Sequence, residues 1–207
     1  MITTQNVCFS YPNLDFVFPD IACNPSETLL ITGKSGKGKT TFLHILSGII
    51  RPNSGEVIID NTNIVNLSNK ELDTFRGQHI GLVLQESHFI ASLSVLENVV
   101  LSSWLSDKSK KEEKAKQILT QLGLENHLHK NTSQLSVGQK QRVSIARALI
   151  NEPKVLLADE PTSSLDDENT EIVADLLSNL SKQYNAALLI VTHDQRLKDK
   201  FNKVVDL

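Results

Sequence analysis

The amino-acid sequence predicts an α/β fold with a parallel sheet and an inserted helical subdomain. Short apolar runs that alternate with helical patterns indicate parallel strands covered on both faces. These runs are ETLLITG (27–33), GEVIID (55–60), HIGLVLQ (79–85), KVLLADE (154–160) and AALLIVTH (186–193). The stretch from about 86 to 150 differs, because it offers helical patterns without a convincing strand. We therefore expect one domain over 1–207, with a core of 1–85 and 151–207 and a helical subdomain of about 86–150.

Three helical patterns make up the predicted subdomain: SVLENVVLSSWL (94–105), KKEEKAKQILTQLG (110–123) and GQKQRVSIARALI (138–150). The charged run DKSKKEEKAK (107–116) lies across the second pattern. It is most simply a solvated helix face, since Glu112 and Lys116 stand at the favourable i,i+4 spacing.

The composition argues against several other classes of protein. The chain has 207 residues, 40% hydrophobic and 22% charged, as in an ordinary globular protein. Its net charge of −3 argues against a dedicated nucleic-acid binder. The N-terminus lacks the basic start and apolar core of a secretion signal, and no apolar run approaches the ~20 residues that span a bilayer. Cys8 and Cys23 lack zinc-type spacing and fit a reducing compartment, so we expect a cytosolic protein.

The glycine-rich stretch GKSGKGKT (33–40) is the first candidate site. It matches the pattern G-x-x-x-x-G-K-[ST], follows the predicted strand ETLLIT and opens the helical pattern TTFLHILSG, which stops at Gly48. Glycines let the backbone wrap a polyphosphate with its N–H groups pointing inward, and the helix start adds partial positive charge. In such a loop Lys39 reaches the β- and γ-phosphates, and the Thr40 hydroxyl binds Mg²⁺. The alternative is a glycine-rich turn that binds nothing.

Two adjacent carboxylates, Asp159 and Glu160, follow the apolar residues of VLLADEPT (155–162). A buried strand that ends in two acids is costly unless they bind something charged. Successive side chains point opposite ways, so that one can face a metal and the other the γ-phosphate. Asp159 suits a water-mediated contact to Mg²⁺, and Glu160 suits the general base that polarises the attacking water. The alternative is an exposed acidic turn, against which the nearby phosphate loop argues.

Polar residues also close two other predicted strands. His193 ends AALLIVTH, at the carboxyl end where open α/β sheets bind ligands, and an imidazole there can contact a γ-phosphate or the attacking water. Gln85 ends HIGLVLQ and can reach Mg²⁺ or water. Each has a plain alternative, which is a structural histidine for His193 and a loop residue for Gln85.

The stretch LSVGQKQR (135–142) starts a predicted helix with Ser136 as its cap. Apolar residues at helical spacing form one face of that helix: Val143, Ala146, Leu149 and Ile150. The N–H groups of its first turn, beside Ser136, form an anion site. Nearby, His127 and His129 stand at a spacing that could suggest a metal, but no other ligand is close in sequence. A loop surface is the simpler interpretation of these histidines.

These motifs, in this order, resemble the nucleotide-binding subunit of ATP-binding cassette (ABC) transporters over nearly the whole chain. The resemblance rests on GKSGKGKT, LVLQE, LSVGQKQR, VLLADEPT, SSLD (163–166) and VTHD, which are specific in their fixed order. It implies a P-loop NTPase fold: a RecA-like core with a parallel sheet, an N-terminal antiparallel β-subdomain and an inserted α-helical subdomain. Gln85 marks the hinge into that subdomain in this interpretation.

The resemblance also implies roles around a bound ATP. Tyr11 stacks on the adenine, and Glu160 and His193 are catalytic. The ATP-binding loop comprises Gly33, Lys34, Ser35, Gly36, Lys37, Gly38, Lys39, Thr40 and Thr41. Mg²⁺ is held by Thr40, Gln85 and Asp159.

A homodimer that encloses two ATP molecules follows from the same resemblance. The signature segment that acts on the partner's ATP is Leu135, Ser136, Val137, Gly138 and Gln139. Ser136 and Gly138 contact the γ-phosphate bound to the second copy, and Asp166 communicates across the dimer. Two residues depart from the family pattern. Lys37 stands where a small residue is usual, and Val137 replaces the first glycine of LSGGQ.

Residues 63–101 resemble one branch of this family, which contains the lipoprotein-releasing ATPase LolD and the macrolide exporter MacB. In that branch the ATPase pairs with a separate integral membrane permease, pushes on it from the cytosol and leaves the choice of cargo largely to it. The resemblance implies a peripheral protein on the cytoplasmic face of the inner membrane. We expect the docking surface around ESHFIASLSVLENV (86–99), with Phe89 and Leu93 as contacts.

Other functions carry some of the same motifs. A regulatory ATPase of the cell-division type, which signals through a membrane partner without moving a substrate, is the alternative function. Soluble ABC proteins of translation or DNA repair usually carry two cassettes or a long coiled-coil insertion, and this chain has neither. A P-loop kinase would not need LSVGQ. We expect a working ATPase that drives a membrane subunit of the export or lipoprotein-release type.

Overall fold

A computed structural model describes residues 1–12, 14–163 and 165–207, so that Ser164 of the SSLD motif lies outside the described residues. The strands are β1 (Ile2–Tyr11), β2 (Leu14–Val17), β3 (Ala22–Cys23), β4 (Thr28–Thr32), β5 (Ser54–Ile59), β6 (Thr62–Asn63), β7 (Ile80–Val83), β8 (Val155–Asp159), β9 (Ala187–Val191) and β10 (Val204–Asp206). The α-helices are α1 (Lys39–Leu46), α2 (Asn69–His79), α3 (Val95–Asp107), α4 (Glu112–Gln121), α5 (Val137–Leu149), α6 (Asp167–Gln183) and α7 (Gln195–Lys200).

The N-terminal part of the chain forms an antiparallel sheet in the order β2-β1-β5-β6, with β3 also paired to β1. This sheet includes GEVIID, for which the prediction of a parallel strand is wrong. β5 runs antiparallel to β1, with Val57 opposite Thr4 and Ile59 opposite Ile2. Burial explains the difference, because Val57 and Ile59 are buried while Glu56 is exposed. This one-sided burial is typical of an antiparallel sheet with one solvated face.

The central sheet is parallel throughout, in the order β10-β4-β9-β8-β7. It confirms the parallel strands predicted from 27–33, 79–85, 154–160 and 186–193. Every residue of β8 and β9 is buried, as the continuous apolar runs indicate. The carboxyl ends of β4, β7, β8 and β9 lie at the same edge of the sheet, so the loops that follow these strands meet there.

Three α-helices occupy the segment between β7 and β8. α3, α4 and α5 match the helical patterns predicted at 94–105, 110–123 and 138–150 to within two residues at each end. On α4, the Lys116 Nζ lies 3.0 Å from the Glu112 Oε1, as predicted for a solvated face. The division into a core and a helical subdomain at 86 and 150 stays a prediction. None of the described helices combines the length and the apolarity that a bilayer crossing requires.

The apolar core lies on both faces of the parallel sheet. Val155 and Leu157 of β8 pack into one cluster with Phe42 of α1. Leu156 and Ala158, which alternate with them, pack into a second cluster with the helices of the other face. Because β8 is enclosed on both sides, the residues that leave its carboxyl end are held at a fixed position on the sheet edge.

Candidate functional site

A cavity of about 620 Å³ lies at the carboxyl edge of the parallel sheet. It is lined by Leu14, Phe16, Ser35, Gly36, Gly38, Lys39, Thr40, Thr41, Gln85, Glu160 and His193. The structure therefore brings together the predicted phosphate loop, Gln85, Glu160 and His193, which follow four different strands. The volume of the cavity falls within the range of roughly 300–1,000 Å³ that small-molecule and cofactor sites have.

The loop that joins β4 to α1 has a backbone shape that favours glycine. Gly36 and Gly38 have φ angles of 82° and 86°, which residues with a side chain rarely adopt. A β-carbon on Gly38 would lie 2.7 Å from the ring of Phe16, so the ring and the loop could not keep their contact. No side chain caps α1, and its first turn contains no acidic residue. This helix start therefore meets the electrostatic conditions for binding an anion.

The ammonium group of Lys39 lies within the loop. Its Nζ donates to the carbonyl oxygen of Gly33 at 2.8 Å and to that of Lys34 at 3.2 Å. The side chains of Lys34 and Lys37 are exposed and line no part of the cavity. Lys39 is thus the lysine that the fold places against the loop, while Lys37 adds positive charge at its rim.

Asp159, the last residue of β8, is a buried carboxylate beside the loop. It is 5% exposed, and its Oδ1 has no hydrogen-bond partner among the described residues. Burial raises the pKa of Asp159, a hydrogen bond with Thr40 opposes that rise, and the nearby Glu160 carboxylate adds to it. A buried carboxylate oxygen without a donor is unfavourable unless a cation approaches it.

Glu160 follows Asp159 and is held by its surroundings. Its φ of 45° is unusual for a residue with a side chain, and its N–H donates to the carbonyl of Val191 at 2.8 Å. Its carboxylate accepts from the Thr192 hydroxyl at 3.0 Å and from the His193 N–H at 3.3 Å. The Nδ1 of His193 lies 2.7 Å from Oε1. The Glu160 side chain is 11% exposed and that of His193 is 68% exposed.

Gln85 connects the ends of two strands. Its Nε2 donates to the Ser163 hydroxyl at 3.4 Å, across the loop that follows Glu160. It lines both the main cavity and a neighbouring cleft of about 210 Å³, which is bounded on its other side by Val137. Gln85 therefore stands between the cavity and the start of α5.

The aromatic wall of the cavity is Phe16, which, like Leu14, is not among the predicted site residues. Phe16 stacks on Phe18 with ring centroids 5.7 Å apart. Tyr11 lies beside this stack, 6.2 Å from Phe16 between centroids. The Tyr11 hydroxyl is 3.4 Å from that of Thr41, and the residue is 43% exposed. The sequence pattern that could have indicated Phe16 is the alternation of aromatic residues in DFVF (15–18).

The predicted signature segment does not line the cavity of its own chain. Ser136 caps α5 and forms a reciprocal pair with Gln139: each accepts the other's backbone N–H, at 3.3 Å and 3.0 Å. Val137 is 58% exposed, and a β-carbon on Gly138 would meet nothing within 4 Å. Leu135, at 5% exposed, packs in the core beneath them. Polar groups at a helix start are thus presented on an open surface.

Two other predicted residues lie away from the cavity. Asp166 is exposed and caps α6, where its carboxylate accepts the Asn169 N–H at 2.9 Å. That backbone hydrogen bond, aided by the Asn169 side chain, lowers the pKa of Asp166. His127 is half-buried rather than a surface residue, and its Nε2 lies 3.2 Å from Nε2 of Gln139, whereas His129 is exposed.

Comparison with known proteins identifies this arrangement. A family model described as ABC transporter matches residues 19–163, which contain the phosphate loop, Gln85, the signature segment and the Asp159–Glu160 pair. The chain belongs to the ABC transporter family. The predicted resemblance to this family is therefore confirmed.

Relatives of this ABC chain carry the name lipoprotein-releasing system ATP-binding protein LolD. The protein of Buchnera aphidicola subsp. Acyrthosiphon pisum is 39% identical over 207 residues, which cover 97% of this chain and 91% of the relative. That of Syntrophotalea carbinolica is 38% identical and covers 100% and 94% of the two chains. That of Legionella pneumophila (strain Lens) is 40% identical and covers 91% and 84%. These matches support the LolD branch predicted from residues 63–101.

Solved ABC structures confirm the fold. A dimeric structure of a post-hydrolysis state of the ATP-binding cassette MJ0796, bound to ADP and Pi, has a TM-score of 0.89 and 32% identity. It covers 100% of this chain and 94% of MJ0796. A second dimeric structure of MJ0796, described as a bacterial ABC transporter cassette, has the same TM-score at 33% identity. The predicted P-loop NTPase fold, with its antiparallel and parallel sheets, is therefore confirmed.

Proposed function

We propose that this chain is the ATP-binding and ATP-hydrolysing subunit of an ABC transporter of the lipoprotein-release or export type. In this proposal two copies close around two ATP molecules and drive a separate membrane subunit. The observation that carries it is the cavity where Lys39, Glu160 and His193 meet beside an uncapped helix start. The LolD-named relatives support the branch, and the dimeric cassettes support the assembly.

ATP binding follows from the loop after β4. Phosphate oxygens accept from the backbone N–H groups of this loop and from α1, and they compete for the Lys39 ammonium that now donates to Gly33 and Lys34. The base lies towards the aromatic wall, with Tyr11 and Phe16 available for stacking. Thr41 lines the cavity, and its hydroxyl lies 3.4 Å from that of Tyr11. This contact connects the phosphate end of the site to the aromatic end.

The residues at the end of β8 fit a divalent cation. Asp159 is buried, and its Oδ1 has no partner among the described residues, so a cation would offset the cost of its burial. Asp159 does not line the cavity itself, but it is hydrogen-bonded with Thr40, which lines the cavity together with Gln85. Oxygen ligands of this kind are those that Mg²⁺ prefers. When bound there, Mg²⁺ neutralises charge on the β- and γ-phosphate oxygens.

Hydrolysis requires a water aligned with the γ-phosphate and a group to accept its proton. Glu160 accepts that proton on its carboxylate, whose orientation is set by the contacts described above. The exposed edge of the His193 ring remains available to contact the γ-phosphate or the attacking water. The bond from the γ-phosphorus to the ADP oxygen breaks as the bond to the water oxygen forms.

The second copy completes the site. The start of α5 lies on an open surface outside the chain's own cavity, and that cavity already contains the start of α1. Ser136 and Gly138 therefore contact the γ-phosphate held by the partner copy, and Asp166, exposed at the start of α6, contacts the partner across the dimer. Hydrolysis removes this shared ligand and releases the dimer.

The membrane subunit docks beside α3. A groove of about 640 Å³ runs along this helix and includes Leu93, Leu101 and Trp104 among its lining residues. It overlaps the segment 86–99 that the sequence predicts as the docking surface. In this proposal the chain is attached peripherally, through this groove, to the cytoplasmic face of the inner membrane.

The decisive experiment is Glu160→Gln. With ATP, gel filtration of this variant should give a stable dimer, while turnover collapses because no carboxylate accepts the proton. Glu56→Gln, an exposed glutamate on β5, is the matched control and should stay near the wild-type rate. Near-wild-type hydrolysis by Glu160→Gln would overturn the assignment of Glu160 as base.

A further inference from the structure

We infer that Thr192 is a positioning residue for ATP hydrolysis: its buried hydroxyl fixes the orientation of the Glu160 carboxylate. The inference rests on the proposed function, in which Glu160 accepts the proton of the attacking water. Thr192 neither lines the cavity nor belongs to the predicted site residues.

The direction of the hydrogen bonds at Thr192 follows from its neighbours. Its side chain is fully buried immediately after β9. The backbone N–H of Asp194 lies 3.0 Å from the Thr192 Oγ1, and an N–H can only donate. The hydroxyl proton is therefore directed to its other partner, Oε2 of Glu160, at 3.0 Å.

This donor controls the rotation of the carboxylate. Oε1 faces Nδ1 of His193 at 2.7 Å, and Oε2 accepts from Thr192 and from the His193 N–H. The His193 side chain is largely exposed, whereas Thr192 is enclosed by the core. Without the hydroxyl, Oε2 keeps only the longer bond to the backbone, 3.3 Å from His193 N. The carboxylate then rotates away from the geometry that receives the proton.

The loop around Thr192 is itself anchored. Asp194 caps α7, and its carboxylate accepts from the Thr162 hydroxyl at 3.1 Å and pairs with Arg196 at 2.7 Å. The N–H that Thr192 accepts thus belongs to a residue fixed by two other contacts. The chain of contacts runs from Arg196 through Asp194 and Thr192 to Glu160. It therefore fixes the Glu160 carboxylate relative to the buried end of β9.

The test compares Thr192→Val, which removes the hydroxyl at nearly constant volume, with Thr192→Ser, which keeps it. Thr162→Val is the matched control, because it removes a buried hydroxyl from the same cluster without touching Glu160, while Arg196 still holds the Asp194 carboxylate through two nitrogens. We expect Thr192→Val to lower kcat about tenfold or more with an unchanged KM for ATP. Thr192→Ser and Thr162→Val should stay within about twofold of wild type. In the Glu160→Gln background, Thr192→Val should have no further effect, since the carboxylate it positions is gone.

Three results would each overturn the inference: wild-type turnover in Thr192→Val, an equal loss in Thr192→Ser, or an equal loss in Thr162→Val. If Thr192→Val does not fold, Thr192→Cys replaces it, since a thiol is a weak donor, and kcat should again fall while Thr192→Ser stays active. Measuring Glu160→Gln in parallel separates the two proposals. If Glu160→Gln keeps its turnover, the proposed base fails. If it is inactive while Thr192→Val is fully active, only the positioning role fails.

Discussion

Nε2 of Gln139 lies 3.2 Å from Nε2 of His127, which joins the start of α5 to the loop that follows α4. Oε1 of the same amide accepts the Ser136 N–H at 3.0 Å, so the amide nitrogen must donate and the imidazole Nε2 must accept. In this contact the His127 ring accepts through Nε2, and its Nδ1 has no partner among the described residues. A half-buried histidine thus orients the side chain that pairs with the cap of α5.

His127→Phe should weaken ATP-driven dimerisation without weakening ATP binding. Loss of the acceptor for Gln139 loosens the reciprocal pair that presents Ser136, and one hydrogen bond of this kind corresponds to about tenfold in affinity. The measurement is the dimer dissociation constant in the Glu160→Gln background with ATP, alongside nucleotide binding by the monomer. His129→Phe, at an exposed neighbour, is the control. Equal dimerisation by both variants would contradict the role given to His127.

Gly138→Ala should leave the monomer intact and abolish the ATP-driven dimer. A β-carbon at this helical position meets open space in the single chain, and alanine favours helix over glycine by about 1 kcal/mol. The added methyl group projects onto the surface that we propose meets the partner's phosphate. Gel filtration with ATP in the Glu160→Gln background, together with thermal unfolding, separates these effects. A dimer of normal stability would argue against this surface.

Gly38→Ala should impair the monomer itself, in contrast to Gly138→Ala. Its φ of 86° and the 2.7 Å approach of Phe16 both exclude a β-carbon, so the loop must change shape within the single chain. We expect loss of nucleotide binding by the monomer, measured by titration with a fluorescent ATP analogue. Retained binding would mean that the loop does not use the conformation described for Gly38.

The fold could be predicted for strands that are buried on both faces. The prediction failed for strands that are buried on one face only. β8 and β9 are buried along their whole length, so their apolar runs are unambiguous. The apolar run of β5 wrongly predicts a parallel strand, because Val57, Ile58 and Ile59 in a row hide the alternation that its burial shows. β1 was missed, since its pairing register shifts between Gln5 and Cys8 and breaks the period of two.

The site could be predicted where an ionisable side chain stands at the end of an apolar run. Glu160 and His193 stand out for this reason, and the structure brings them to 2.7 Å. Thr192 and Phe16 could not be found in this way. The role of the Thr192 hydroxyl depends on its contact with Glu160, 32 residues away in sequence. The role of Phe16 depends on its contact with Gly38. Such contacts depend on the tertiary fold and leave no local pattern.

Asp159→Asn should stabilise the nucleotide-free protein at neutral pH. Burial raises the pKa of Asp159, so the folded state holds its proton more tightly than the unfolded state. Stability is therefore lost as pH rises through the interval between the unfolded and the folded pKa. The variant removes that loss, and its gain in Tm should disappear in acid, below both values. Thermal unfolding against pH measures this.

Asp194→Asn is the control with the opposite sign. Hydrogen bonds from Arg196, first the side chain and then the backbone, lower the pKa of Asp194. Its contribution to stability is present above the unfolded pKa and is lost as pH falls through the folded value. This variant should therefore be less stable than wild type at neutral pH. Adding Mg²⁺ to the ADP-bound protein should raise the Tm of wild type more than that of Asp159→Asn, and equal increases would contradict the cation site.

Leu93→Gln should separate the chain from its membrane subunit while leaving its own ATPase intact. Leu93 lines the groove along α3, whereas Phe89 packs against the core with its ring 5.3 Å from the guanidinium of Arg147, so a polar Phe89 would also disturb the fold. We expect co-purification with the integral membrane protein to fall at least about tenfold, because a buried amide without a partner costs more than 1 kcal/mol. Ile172→Gln, on the exposed face of α6, is the matched control. Co-purification at the wild-type level, or loss of ATP binding by Leu93→Gln, would show that this groove is not where the partner docks.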